Sequence, residues 1–312
     1  MADIELFRLG ATAEKLPVES PQVEKALQHL FEKNLEALLG VRFLATEYGT
    51  GAVHGGRIDT LGIDEDGSPV IIEYKRSTNE NVINQGLFYL DWLMDHKKEF
   101  QWLVLDVLGK DAADKVEWSA PRLVCIAGDF TKYDSYAVKQ INRSIELIRY
   151  RRFGSDLLMI ELVHNPRVAA RPAAPAETVG EPAKGGAPAK DPYLSQRIDY
   201  RLSNASPDLR EVWDSVVDFV MSLGDDVQMK EVKFYVAFKR IKNFVCLEIF
   251  PQAKTVTAFL KLDPDSVTIE PGFTRDVRKI GHYGTGDLEV VMRTSADFAK
   301  AQPLFQRAYD ES

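Results

Sequence analysis

The sequence predicts an α/β domain with a mixed sheet over residues 1–164, followed by a smaller α+β domain over residues 193–312. In the first half, apolar residues switch between helical and strand spacing in the order helix, three strands, helix, strand, helix, strand. Between the halves, residues 165–192 consist mainly of Ala, Pro, Gly, Glu and Lys, with too few large apolar side chains to order a core. We therefore expect a flexible linker at 165–192 that separates the two domains.

The elements of the first domain follow from periodicity and turn residues. A short strand near residues 4–9 precedes a helix from about Pro21 to Leu39, whose apolar residues recur at helical spacing. The remaining elements are predicted as strands near 42–48, 57–63 and 69–75, helices near 80–96 and 98–108, a strand at 121–127, a helix at 134–150 and a closing strand at 156–163. Three arginines, Arg149, Arg151 and Arg152, are then expected at the basic end of a helix.

The second domain is predicted to pack helices on one face of a small antiparallel sheet. It opens with an amphipathic helix over residues 207–223. The later elements are predicted as strands at 233–239, 243–250 and 256–262, a helical turn near 274–280, a strand at 288–293 and a terminal helix at 295–309.

Composition excludes several classes of protein. The formal net charge is −8, so any contact with a polyanion must come from local basic patches rather than a global positive field. No apolar run approaches the ~18 residues that span a bilayer, and the first residues do not resemble a secretion signal, so no membrane partner is expected. Cys125 and Cys246 lie within apolar strands and are expected to be buried free thiols in a reducing cytoplasm. Two cysteines and five histidines give no indication of a structural zinc site.

A predicted hairpin over residues 55–78, GGRIDTLGIDEDGSPVIIEYKRST, places charges inside apolar strands. Successive strand residues alternate faces, so Glu73 and Lys75 share one face. Two turns fit the sequence. A two-residue loop pairs Asp59 with Tyr74 and sends the carboxylates to opposite faces, whereas a three-residue loop ending at Gly67 pairs Asp59 with Glu73. The sequence alone does not choose between them.

The three-residue loop would create a site, whereas the two-residue loop leaves a solvated hairpin face. Opposed side chains lie about 5 Å apart, where two carboxylates repel by roughly 3 kcal/mol at an effective dielectric near 20. A divalent cation offsets that repulsion, and hard oxygen ligands from Asp59 and Glu73 suit Mg²⁺ or Mn²⁺. Lys75 would then lie within reach of a water molecule or a phosphate beside the metal.

The hairpin GRIDTLGIDEDGSPVIIEYKR, followed by Gln85 and Tyr89 one helical turn apart, resembles the PD-(D/E)xK phosphodiesterase superfamily. It is more closely similar to structure-specific DNA endonucleases that cut at mismatches or at junctions of single and double strands. The resemblance implies a restriction-endonuclease-like αβββαβ core. It makes Asp59 and Glu73 metal ligands, Lys75 the residue that positions water, and Gln85 and Tyr89 supports of the site or of the substrate phosphate.

The same resemblance implies a glutamate from the first helix. Glu32 and Glu36 are both candidates, and Glu32 is favoured because it lies three residues before a leucine. The implied activity is Mg²⁺- or Mn²⁺-dependent cleavage of branched, mismatched or single-stranded DNA, and the pairing of active sites in the related enzymes implies a homodimer. The alternative is a non-catalytic module for nucleic acid or protein that retains the nuclease fold, which the acidic net charge favours.

Several further residues are candidate nucleic-acid contacts. Basic side chains interleaved with aromatics suit phosphate contact and base stacking, but we favour the interpretation of a hairpin with buried aromatics and solvated lysines. The glycine-rich run KIGHYGTGDLEV resembles part of a C-terminal domain family of unknown function that is loosely labelled a predicted transport protein. The candidates are Arg57 and Arg76 beside the hairpin, and Lys239, Arg240, Lys242 and His282 in the second domain.

Overall fold

The computed structural model describes residues 4–19, 24–75, 82–164 and 193–312. Contacts divide the chain into two compact units, residues 1–166 and 167–312. The predicted linker at 165–192 and Arg76 lie outside the described residues. Within the described residues, no helix is long and apolar enough to cross a membrane.

The N-terminal unit is a six-stranded mixed sheet with helices on its faces. Its strands lie in the order β3-β4-β5-β6-β7-β8, with β6 parallel to both β5 and β7 and the other pairs antiparallel. A separate hairpin, β1–β2, replaces the single N-terminal strand that was expected. The elements are β1 (Phe7–Leu9), β2 (Ala13–Lys15), α1 (Glu24–Lys33), α2 (Leu35–Leu39), β3 (Val41–Gly49), α3 (Gly51–His54), β4 (Arg57–Asp64), β5 (Pro69–Lys75), α4 (Val82–Asp95), α5 (Lys97–Leu108), α6 (Lys110–Ala113), β6 (Arg122–Ala127), α7 (Lys132–Lys139), β7 (Ser144–Phe153) and β8 (Leu157–His164).

This arrangement confirms the predicted fold class, an α/β domain with αβββαβ order and a mixed sheet. One face of the sheet packs on α4 and α5 through a continuous apolar core that includes Trp92, Leu93 and Phe100. On α1, Phe31 is fully buried and contacts Tyr74 of β5, so α1 contributes to the packing around that strand.

The predicted helix at 134–150 is wrong beyond Lys139. The helix α7 begins with a capping box at Thr131 and lasts two turns, and β7 then runs between β6 and β8. The apolar residues of β7 alternate as Ile145 and Leu147 and then, after a register shift between Leu147 and Ile148, as Ile148 and Tyr150, so their spacing also fits a helix. The arginines expected at a helix end therefore lie on a strand, and Arg149 is buried between Asp129 and Glu161 at 2.8 and 2.9 Å.

The turn between β4 and β5 is the three-residue loop. The ladder pairs Thr60 with Ile72 and Ile63 with Pro69, and Gly67 has φ +82°. Asp64 builds the turn, because its Oδ1 accepts hydrogen bonds from the backbone N–H groups of Asp66 (3.0 Å) and Ser68 (2.8 Å).

A buried ion triad fixes this turn to the rest of the sheet. Arg122 on β6 forms two 2.8 Å hydrogen bonds with Glu146 of β7 and one of 3.2 Å with Asp64. All three side chains are almost fully buried. Because Arg122 satisfies both carboxylates, the triad connects three strands at the end of the sheet where the hairpin turns.

The C-terminal unit is a six-stranded antiparallel sheet, β13-β14-β12-β11-β10-β9, with helices α9 and α10 packed on one face. The α+β prediction is confirmed. The predicted helical turn at 274–280 is wrong, because residues 274–276 form an edge strand that pairs with β14, and β9 and α8 were not expected. The elements are a 3-10 turn (Leu194–Gln196), α8 (Ile198–Ser203), α9 (Pro207–Ser222), β9 (Gln228–Glu231), β10 (Val236–Lys239), β11 (Asn243–Phe250), β12 (Thr255–Leu260), a 3-10 turn (Pro264–Ser266), β13 (Thr274–Asp276), β14 (Leu288–Met292) and α10 (Ser295–Asp310).

Both cysteines are buried thiols outside any disulfide, one in each unit. Cys125 lies in the middle of β6, where burial raises the pKa of its thiol. Cys246 lies on β11 beneath the loop that follows β13, where its Sγ accepts the backbone N–H of Thr285 at 3.3 Å.

Candidate functional site

Three acidic residues lie at one level of three adjacent strands in the N-terminal unit. In the β3–β4 ladder, the pairs Thr46–Thr60 and Tyr48–Ile58 lie on either side of Asp59 and place Glu47 opposite it. The β4–β5 register, extended by one residue, places Glu73 opposite Asp59 on its other side. Adjacent carboxylates at one level repel, so the surrounding structure must hold them there.

The backbone ladder is interrupted at Asp59, and side chains replace the missing strand hydrogen bonds. The Asp59 N–H donates to Glu73 Oε1 at 3.2 Å, and the Tyr74 N–H donates to Asp59 Oδ2 at 3.1 Å. On α1, Gln28 Nε2 donates to the Asp59 carbonyl at 2.6 Å. The two carboxyl groups are therefore held by fixed backbone amides, and α1 supports Asp59 directly.

Burial raises the pKa of both groups, and the charge of Asp59 raises that of Glu73 further. Desolvation, followed by the charge of Asp59, raises the pKa of the fully buried Glu73 to about 9. Desolvation also raises the pKa of Asp59. Within the described part of the chain, Glu73 Oε2 is buried and has no hydrogen-bond partner. An unsatisfied carboxylate oxygen beside a second carboxylate is a donor set that suits a hard divalent cation.

Asp59 and Glu73 are the two carboxylates that lie close enough together to share a metal ion. Among the residues that the structure describes, no group of three or more His, Cys, Asp or Glu side chains is arranged to hold a metal ion. Two carboxylates are compatible with Mg²⁺ or Mn²⁺, since Mg²⁺ commonly takes one or two and completes its shell with water and substrate phosphate.

An open cleft of about 670 Å³ leads to Asp59. On one wall, Lys75 Nζ donates to Glu24 Oε1 of α1 at 2.7 Å. On the other, Tyr89 Oη accepts the Arg57 N–H at 3.1 Å and the Gln85 amide at 3.2 Å. The lining consists of Glu24, Lys25, Gln28, Glu47, Gly55, Gly56, Arg57, Asp59, Lys75, Gln85 and Tyr89.

The structure brings most of the residues predicted for the site together. Asp59, Lys75, Gln85, Tyr89 and Arg57 line the cleft, and Glu73 is buried directly beside Asp59.

The two candidate helix glutamates do not line it. Glu32 accepts hydrogen bonds from Thr60 Oγ1 (2.7 Å) and Gln28 Nε2 (3.0 Å), one side chain away from Asp59, and Glu36 is exposed on α2.

Sequence reasoning missed four residues of the cleft: Glu24, Lys25, Gln28 and Glu47. A signal existed for two of them. Glu24 and Gln28 form a polar stripe with Glu32 at four-residue spacing, which places all three on one face of α1. Glu47 gave no such signal, because its position depends on an irregularity in the β3–β4 ladder.

The basic candidates of the second domain belong to the other unit. Lys239 is almost fully buried, which contradicts both the predicted nucleic-acid contact and a solvated lysine at that position. Arg240 pairs with Asp226 at 2.6 Å and lies over the ring of Tyr309. His282 stacks on Phe259 at 4.3 Å between ring centroids. Lys242 is partly buried.

Comparisons with known proteins identify relatives of both units. Residues 198–312 match a family described as a domain of unknown function, DUF5655. A Haemophilus influenzae protein described as uncharacterized is 26% identical over 292 residues, which covers 92% of this chain and 93% of that one. The likeness therefore spans both units and the segment between them.

Among solved structures, the chain is similar to a repair endonuclease from Pyrococcus abyssi, with 17% identity over 41% of this chain and a TM-score of 0.24. It is also similar to EndoMS in a complex with dsDNA, with 23% identity over 44% of this chain and a TM-score of 0.24. Each match covers 47% of the other protein's chain, so this chain aligns with about half the length of each.

Proposed function

We propose that the N-terminal unit is a metal-dependent nuclease and that the cleft at Asp59 is its active site. The observation that supports this most directly is the pair formed by Asp59 and Glu73. Two carboxyl groups are held side by side by backbone amides, and one buried oxygen has no partner in the described structure. Maintaining such a pair is costly unless a cation satisfies it.

The side chains of the cleft have distinct roles in this proposal. Asp59 and Glu73 hold Mg²⁺ or Mn²⁺, which acts as a Lewis acid toward the phosphodiester when it is bound. Lys75 positions the attacking water, and Glu24 keeps its ammonium group in place. Tyr89 and Gln85 form a hydrogen-bonded pair on the opposite wall, from which they orient the substrate phosphate.

The proposed substrate is DNA that is branched, mismatched or single-stranded. The order of the sequence motif, from the Asp59 strand through Lys75 to Gln85 and Tyr89, supports this substrate class. The same resemblance motivates a proposed homodimer. The two reduced, buried cysteines are consistent with a cytoplasmic protein.

The test compares Asp59→Asn and Glu73→Gln with the wild-type chain. We expect calorimetry to show Mn²⁺ binding by the wild type that both variants lose, together with loss of Mn²⁺-dependent cleavage of splayed and single-stranded DNA. Asp91→Asn, an exposed position on α4, is the matched control and should bind and cleave normally. Full cleavage by either site variant would refute the proposal. Mn²⁺ binding without cleavage of any DNA would favour a non-catalytic module that retains the site.

A further inference from the structure

Two cations, Lys25 of α1 and Arg57 of β4, lie at the rim of the cleft that contains Asp59. Both contact the same carboxylate. Lys25 Nζ lies 2.6 Å from Glu47 Oε1, and Arg57 Nε contacts Glu47 Oε2. The side chains of Lys25 and Arg57 are 50% and 68% exposed, whereas that of Glu47 is 23% exposed. The cations therefore face solvent, and the anion lies between them.

The backbone at Glu47 is unusual. Its φ is +51°, and among the described residues only Lys254 shares a positive φ without being glycine. Such a conformation is costly for a residue with a Cβ, and it is retained where the surroundings require it. Here it occurs at the break in the β3–β4 ladder, where Glu47 lies opposite Asp59. Glu47 thus adds a further negative charge to a cleft that is proposed to receive a polyanion.

We propose that Lys25 and Arg57 form a binding site for a DNA backbone phosphate, which Glu47 occupies when no DNA is bound. This inference rests on the proposed function. A carboxylate and a phosphodiester each present two anionic oxygens on one central atom, so the same two cations bind either group. Exposed ion pairs are weak, which makes Glu47 displaceable by a phosphate that other contacts have already placed.

The arrangement has a consequence for selectivity. With Glu47 in place, the net charge of these three rim side chains falls from +2 to +1 and the interior of the cleft is acidic, so free polyanions are attracted less. A phosphate that binds next to Asp59 must displace Glu47, and it then contacts both Lys25 and Arg57. Glu47 therefore lowers the affinity for DNA, whereas Lys25 and Arg57 raise it.

The test measures binding of a fluorescein-labelled splayed DNA duplex to the full chain in EDTA, where no cleavage occurs, over a series of salt concentrations. Glu47→Gln should tighten binding several-fold. Lys25→Gln and Arg57→Gln should each weaken it and reduce the slope of log affinity against log salt by about 1. Glu36→Gln and Lys33→Gln are matched charge controls at exposed positions of the neighbouring helices. Equal thermal midpoints would show that the variants are folded.

Three outcomes would overturn the inference: Glu47→Gln binding no better than Glu36→Gln, unchanged salt slopes in the two cation variants, or no DNA binding by any variant. The proposed function has its own readout. If Mn²⁺ binding and its loss in Asp59→Asn persist while the rim variants change nothing, only the phosphate site is refuted. If Mn²⁺ binding is absent, the proposed function itself fails.

Discussion

Replacing Glu73 by glutamine should stabilise the N-terminal unit at alkaline pH. The Glu73 side chain is fully buried, and its pKa is raised from 4.5 to about 9, first by desolvation and then by Asp59. Glutamine has nearly the same shape and stays neutral at every pH. In wild type, the carboxyl group ionises readily in the unfolded chain but stays protonated in the folded chain, and this difference lowers the free energy of unfolding. The substitution removes that loss.

The sign and size follow from linkage. Because the pKa is higher in the folded state, the stabilising contribution of the carboxyl is fully present below pH 4.5 and is lost as the pH rises through 9. Each pH unit between these values costs about 1.4 kcal/mol. Relative to a chain with a neutral side chain at this position, the free energy of unfolding of wild type is thus lower by about 2 kcal/mol at pH 6 and by at most about 5 kcal/mol at pH 8. A pH-independent cost of the new amide would shift both values equally and leave the difference near 3 kcal/mol.

The assay is urea unfolding at pH 6, 7 and 8 in EDTA, followed by tryptophan fluorescence in a Trp213→Phe background. The remaining tryptophans, Trp92, Trp102 and Trp118, all report on the N-terminal unit. Glu36→Gln, at an exposed position, should show no pH-dependent difference from wild type. A stability difference between Glu73→Gln and wild type that does not grow with pH would refute the reasoning.

Three further predictions concern the groups around the site. Mn²⁺ binding should release about one proton near pH 7 and tighten about tenfold per pH unit up to pH 8, because it displaces the proton of Glu73. Calorimetry in buffers of different ionisation enthalpy measures this, and pH-independent affinity would contradict it. Gln28→Ala should weaken Mn²⁺ affinity roughly tenfold, since Asp59 loses the donor at its carbonyl. An unchanged dissociation constant would exclude that supporting role. Arg122→Met should cost about 3–5 kcal/mol in urea unfolding, because it removes the guanidinium that pairs with two buried carboxylates. A loss below about 1 kcal/mol would show that the carboxylates simply protonate.

The sequence predicts the strands that carry the site but not the register in which β4 and β5 pair. Two turns were compatible with the residues between β4 and β5, and they differ in whether Asp59 faces Glu73. Asp64 decides between them, since its carboxylate accepts two amides of the longer turn and is itself held by Arg122, which is distant in sequence. A contact over 58 residues is not visible in local spacing.

Other differences have similar causes. Strand β7 was predicted as a helix because the register shift between Leu147 and Ile148 breaks the alternation that identifies a strand. Glu24 was missed because Glu32 lies on the same face of α1, and only the direction in which α1 crosses the sheet shows which of them reaches Lys75. Periodicity gives the face of a helix but not its orientation over a neighbouring strand.

The distribution of the two cysteines makes the stability of each unit separately measurable. Cys125 and Cys246 have no exposed surface, so a thiol reagent reaches either sulfur only when the surrounding structure opens. Each unit contains one of them, and peptide mass spectrometry can distinguish the two labelled positions. In the slow-labelling limit, the modification rate of each thiol gives the opening equilibrium of its own unit within the intact chain. The thiol of Cys246 also lies beneath Gly284 and Thr285. Its modification rate therefore reports local opening of that glycine-rich loop as well as global unfolding.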